Sequence, residues 1–215
     1  MKLITWFLRL LYPPKCVFCG KLLNEEETDL CAVCRRELPR CKNSFKRGEC
    51  YQECFSVYYY EKQVAESVRR FKFCGQSQFA DAYGRLMAML ILEKEIDFDL
   101  LTWVPLSKRR ERDRGYCQTK LIAKSIASEL GIETIPLLIK TKDNDAQATL
   151  KKFSQRKDNV VGAYRAIHNE LFAGKRILLI DDVVTSGATL SECSRTLKNV
   201  GAKSITCVTL AATRD

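Results

Sequence analysis

The sequence predicts an α/β fold: a mostly parallel sheet with flanking helices, preceded by a small N-terminal module rich in cysteine. Three observations predict it. A strand–helix–strand run closes the chain, and regular helix and strand patterns alternate after residue 57. Seven of the eleven cysteines fall between Cys16 and Cys54. The expected division is therefore residues 1–56 and 57–215.

Taken in order, residues 1–12 are apolar but carry Lys2 and Arg9, and no small-residue cleavage site precedes Pro13 and Pro14. A short amphipathic helix on the body of the protein is expected there, not a leader. Residues 13–56 are turn-rich and lack periodicity. A helix is expected over 61–73, with Val64, Val68 and Phe71 on one face, and another over 79–94. Residues 100–105 form an apolar run ending at proline, which suits a buried strand. The helical pattern over 118–130 stops at Gly131. Strands are expected over 135–139 and 160–164, separated by a long polar, charged connection over 140–159 that should move. The end is clearest: a strand over 176–180, a helix over 187–200 and a strand over 204–211, a right-handed crossover in a parallel sheet.

Bulk composition narrows the class of protein. A chain of 215 residues that is 46% hydrophobic and 29% charged has ordinary globular usage. No run of about twenty apolar residues occurs, so no membrane span is expected, and the chain reads as cytoplasmic. The formal charge of +10 favours polyanionic partners, without choosing among phosphorylated metabolites, nucleic acid and an anionic surface.

Chemistry concentrates in residues 177–190, ILLIDDVVTSGATL. Four apolar residues carry a strand to the carboxyl edge of the sheet, where open α/β sheets bind ligands. Asp181 and Asp182 follow, then Val183, and then Thr185, Ser186, Gly187, Ala188 and Thr189 open into a helix. A helix start offers unpaired N–H groups and a positive dipole end to a phosphate. Gly187 lets the backbone approach the anion, and three hydroxyls can donate further hydrogen bonds. Carboxylates beside a phosphate site make sense if the ligand also carries hydroxyls or a cation, as a ribose phosphate with Mg²⁺ does. Simple helix capping would account for one hydroxyl, not for the whole set. Independently, Lys108, Arg109, Arg110, Arg112 and Arg114 put five cations into seven positions, which suits a pyrophosphate or, more blandly, a solvated basic turn or a nucleic-acid contact.

The acid pair followed by Thr-Ser-Gly-Ala-Thr resembles the phosphoribosyl-pyrophosphate (PRPP) motif of type I phosphoribosyltransferases. Almost the whole chain resembles the ComF family of competence proteins, a cysteine ribbon joined to a phosphoribosyltransferase domain. Lys72, Phe73 and Gly75 look like that family's opening block. Arg114, Gly115, Tyr116 and Gln118 look like its RG-aromatic-x-Q element, and Gln147, Leu150, Arg156 and Asn159 like its Q…L…R…N segment. The resemblance implies a type I phosphoribosyltransferase-like domain in which Asp181 and Asp182 act as the catalytic acids, meeting the ribose hydroxyls or their Mg²⁺. It implies that residues 185–189 hold the 5′-phosphate, with Val183 and Ala188 lining the same motif. Pro105, Leu106, Lys108 and Arg109 would meet the pyrophosphate, and Gln147, Arg156 and Asn159 would form a flexible loop. It implies a role in handling incoming single-stranded DNA during natural transformation, with a DNA-uptake helicase as a partner. Cys117 stands where the family usually has asparagine, and Cys74 where arginine is common; these losses weigh against turnover more than against binding.

Cys16, Cys19, Cys31 and Cys34 form two close pairs eleven residues apart, with Gly20 after the first. Four thiolates at that spacing surround a structural Zn²⁺ tetrahedrally, and a ribbon this small should depend on the metal to fold. Cys41, Cys50 and Cys54 are a weaker set, with Ser44 where a fourth ligand would sit. Phe55, Tyr58, Tyr59 and Tyr60 are candidates for stacking on bases, although such clusters are more often core. Two other functions stay open on the sequence: a metabolic transferase of a nucleobase or amine, and a PRPP sensor without chemistry. The acceptor, if one exists, is not legible.

Overall fold

The computed structural model describes residues 13–43, 50–142 and 160–214. In chain order these form α1 (Ala32–Glu37), β1 (Cys54–Tyr59), α2 (Lys62–Phe73), α3 (Phe79–Glu93), β2 (Leu100–Trp103) and α4 (Lys108–Arg114). There follow α5 (Gln118–Leu130), β3 (Leu138–Lys140), β4 (Tyr164–Ala166), a 3₁₀ turn at Asn169–Leu171, β5 (Arg176–Val184), α6 (Ala188–Asn199) and β6 (Ser204–Ala212). The expected amphipathic segment at 1–12 lies outside the described residues, as do Ser44 and the loop candidates Gln147, Leu150, Arg156 and Asn159.

The expected parallel sheet is present. Among the described residues it has four strands in the order β1-β6-β5-β2, all neighbours parallel. Its central strand β5 is near-continuously apolar from Ile177 to Ile180, as a strand covered on both faces must be. On one face lie α2, α3 and α5, sharing a core that contains Val64, Phe71, Tyr83, Met87, Ile122 and Ile180. On the other, α6 packs with an antiparallel β3–β4 ribbon around Leu137, Phe172, Leu179, Leu190 and Leu197. The helices α3 and α5 cross so closely that a Cβ on Gly84 would lie 2.2 Å from Ser125 Oγ. Only a residue without a side chain permits that approach.

Four expectations are adjusted by the structure. The strand expected over 160–164 is a turn through residue 162, and pairing begins only at Tyr164. The strand expected over 176–180 runs on to Val184, because Asp181 to Val184 keep pairing with β6. The strand expected over 135–139 breaks up: Thr134 bridges Leu101 at the sheet's edge, and regular pairing resumes only at Leu138, with β4. The basic turn after Val104 is a helix, α4, capped by Ser107, whose Oγ accepts from the Arg110 N–H. A seven-residue helix with no apolar face gives no periodicity to find.

The cysteine module is joined to the sheet without a gap. Residues 39–41 run antiparallel to β1, with Tyr59 N–H donating to Pro39 O and Cys41 N–H to Val57 O. Strand β1 itself begins at Cys54, so the division drawn at 56/57 falls inside a strand. Phe18 of the module packs edge-on against Tyr58 (ring centroids 5.2 Å) and lies tilted against Tyr83 (6.0 Å). Among the described residues no helix is long and apolar enough to cross a membrane.

Candidate functional site

The cysteine cluster is the simpler of the two sites. Cys16 and Cys19 sit on one turn, where Gly20 N–H donates to Cys16 O at 2.8 Å. Cys31 caps α1, and its sulfur accepts from the Cys34 N–H at 3.5 Å. The four sulfurs lie within 4.8 Å of one another, and Cys19 and Cys31 are 3.7 Å apart. Four sulfurs about 2.3 Å from a tetrahedral zinc would be spaced about 3.8 Å apart, so the set fits Zn²⁺. Burial opposes ionisation of Cys16, yet the N–H groups of Cys19, Cys31 and Phe18 bring its thiol down to about 7. Burial, then the neighbouring Cys19 and Cys16, push Cys34 up. Thiolates this close repel one another, and a divalent cation is what stabilises the fully ionised set. Cys41 and Cys54 are instead buried in the core on the α6 side of the sheet, and among the described residues they form no metal-sized cluster with Cys50.

The second site is at the carboxyl end of β5. Successive residues of a strand point to opposite faces, and the two acids do so. Asp182 faces α2, where Lys72 Nζ donates to its Oδ1 at 2.7 Å. Asp181 lies on the α6 side near Tyr164 and Cys193: burial raises the pKa of both groups, and the charge of Asp181 adds to the effect. Burial, reinforced by the charge of Asp182, pushes the Asp181 carboxyl up to about 7. The acids bracket the strand's end from its two faces.

After Val184 the chain turns through residues 185–187. Gly187 has φ +74, a left-handed conformation that glycine adopts without strain, and this sets the entry into α6. Thr185, Ser186, Ala188 and Thr189 are all half-buried around that entry, and Gly187 is buried. The acids, the turn and the helix start are thus contiguous, as the sequence led one to expect.

On the Asp182 face the structure adds what local sequence could not show. Arg110 and Arg114 lie one turn apart on α4 and are half-buried, whereas Lys108 and Arg109 are on its exposed side. Asp182 acts electrostatically on Arg114, and Arg110 on Arg114 and Tyr164. The segment after α4 is tied to the end of α2: Tyr116 Oη donates to Phe71 O, and the Arg114 guanidinium lies 5.1 Å from the Phe73 ring centroid. Thr119 Oγ1 donates to Val104 O at 2.6 Å, fixing the start of α5 against the end of β2. Pro105 and Leu106 follow directly and are half-buried. Gln118 is fully buried there, and Cys117 is buried with its sulfur 3.3 Å from Thr119 Oγ1; Cys74 is exposed at the end of α2.

The aromatic cluster that offered candidates for base stacking is elsewhere. Tyr58 is fully buried under Phe18, and Phe55 and Tyr60 pack half-buried against the same core. Tyr59 is covered by the Arg214 guanidinium at 4.1 Å. All four belong to β1 or its end, two strands away from the acids. His168 is exposed at the surface.

Two segments of the chain match known families. Residues 7–55 match the family described as double zinc ribbon domain, and residues 121–215 match the phosphoribosyl transferase domain. The fold and the two sites therefore define a zinc-ribbon protein with a phosphoribosyl transferase-type domain. The chain is 23% identical to competence protein F of Haemophilus influenzae, over 89% of this chain and 93% of that one. It is 27% identical to competence protein ComFC of Bacillus subtilis, over 96% of this chain and 89% of that one. With DNA utilization protein YhgH of Escherichia coli the identity is 26%, over 88% and 86%. Over most of its length the chain is thus similar to proteins named for competence and DNA utilization.

Proposed function

We propose that this protein binds PRPP with Mg²⁺ at the end of β5 and serves the handling of single-stranded DNA during uptake. The observation that supports PRPP binding most is the continuity of two carboxylates, a left-handed glycine and a helix start within nine residues of one strand's end. The first-turn amides of α6, with the hydroxyls of Thr185, Ser186 and Thr189, would hold the 5′-phosphate. Arg110, Arg114 and Lys72 supply positive charge for the pyrophosphate, and Asp181 and Asp182 accept from the ribose hydroxyls. The acids are hard oxygen donors and fit Mg²⁺, which when bound offsets the charge of the pyrophosphate and the carboxylates. The DNA half rests on relatives named for competence and DNA utilization, and on the net charge of +10.

Titration calorimetry with PRPP and Mg²⁺ tests the site. Wild-type protein should bind, and Asp181→Asn with Asp182→Asn should weaken binding at least a hundredfold. Unaltered affinity in the double variant would refute the assignment. For DNA, affinity for an oligonucleotide should fall steeply with salt, since each neutralised phosphate releases counterions. A flat salt response, or no binding, would remove that half.

A further inference from the structure

Phe73 is the last residue of α2 and is 71% exposed, an unusual condition for a large aromatic beside a charged site. Its neighbour Lys72 makes the 2.7 Å ion pair with Asp182. One side of the Phe73 ring is occupied by the Arg114 guanidinium at 5.1 Å, and Arg114 itself lies within the field of Asp182. The hydrogen bond from Tyr116 to Phe71 O holds these two segments together, so ring and guanidinium belong to one fixed rim. Their common position is the lip of the Asp182 face.

We propose that Phe73 and Arg114 form a stacking platform for a nucleobase at the mouth of the ribose-phosphate site. A planar heteroaromatic ring matches both groups. It stacks on the open part of the phenyl ring, and a guanidinium plane accepts it equally well while pairing with a neighbouring phosphate. An aliphatic ammonium would make only a cation–π contact there, without the stacked area of a base. The same ring chemistry is offered by a free base and by a base of single-stranded DNA, and base–aromatic stacking serves both without sequence preference. The proposal rests on the PRPP reading for its location, but the platform's chemistry is independent of it.

The test uses the full chain and two variants, Phe73→Ala and Phe73→Trp. Because Phe73 is largely exposed, thermal midpoints should match wild type and certify the fold. Affinity is measured for adenine by calorimetry and for a fluorescent oligothymidylate by anisotropy. Phe73→Ala should lose roughly fivefold or more in at least one of them, the range of one stacked base. Phe73→Trp should retain affinity, and its indole fluorescence should be quenched by the same probe. Loss for adenine identifies an acceptor base; loss for the oligonucleotide alone identifies the strand. Unchanged affinity for both probes in Phe73→Ala overturns the platform. Failure of wild-type protein to bind PRPP overturns the PRPP reading and leaves the platform result to be judged on these two probes.

Discussion

Asp181 shows how much one residue's surroundings change its chemistry. An exposed aspartate would be ionised throughout the physiological range; here burial and Asp182 raise the carboxyl to about 7. The native state therefore holds a proton that the unfolded chain releases near pH 4. Stability from this group is complete below that pH and is lost as pH rises toward about 7. Asp181→Asn should remove this slope, so its thermal midpoint should exceed wild type at pH 8 and not at pH 4; equal differences at both would contradict the assignment. Asp182 is the contrasting case, a carboxylate already matched by Lys72. Replacing Lys72 with methionine leaves that acid without its partner, at a cost of about 1.5–3 kcal/mol, measurable by denaturant unfolding. The sequence made both acids candidates. It could not show that they face opposite sides of the strand, because the extent of β5 depends on pairing with β6, not on local pattern.

At the scale of elements, α2 connects the two sites. Near its start the Gln63 amide oxygen is 3.9 Å from Cys34 Sγ. One turn on, Ser67 donates to Val17 O, and Arg70 donates to Val17 O and Phe18 O at 3.1 and 2.6 Å. Its last turn delivers Lys72 to Asp182 and Phe73 to the rim. A single twelve-residue helix thus holds the metal knuckle at one end and a counterion of the phosphate site at the other. Arg70→Ala should speed zinc release to a chromophoric chelator; an unchanged rate would mean that the knuckle holds itself. The helix was legible from Val64, Val68 and Phe71. Its polar face was not, since the backbone carbonyls that Ser67 and Arg70 reach and the carboxylate that Lys72 reaches are between 50 and 110 residues away in the chain. For the opposite reason α4 was missed as a helix: it buries no residue, so only its cap and its place beside the site define it.

For the whole molecule, the small ribbon and the larger sheet share one core, with Phe18 inserted between Tyr58 and Tyr83. Metal loss should therefore be felt beyond the ribbon. Elemental analysis should find one zinc per chain, absent in Cys31→Ser, whose thermal midpoint should fall; two per chain would show that Cys41, Cys50 and Cys54 hold another. By itself the sequence determined the chemical groups and their local order: four thiols at knuckle spacing, and two acids leading into a glycine-opened helix. Those patterns are read over a few residues because short-range geometry alone creates them. Tertiary structure decided which groups meet. The pairing of Lys72 with Asp182, the half-burial of Arg110 and Arg114, the exposure of Phe73 and the burial of Tyr58 all follow from packing helices on a sheet. Such packing joins segments whose separation along the chain leaves no local trace.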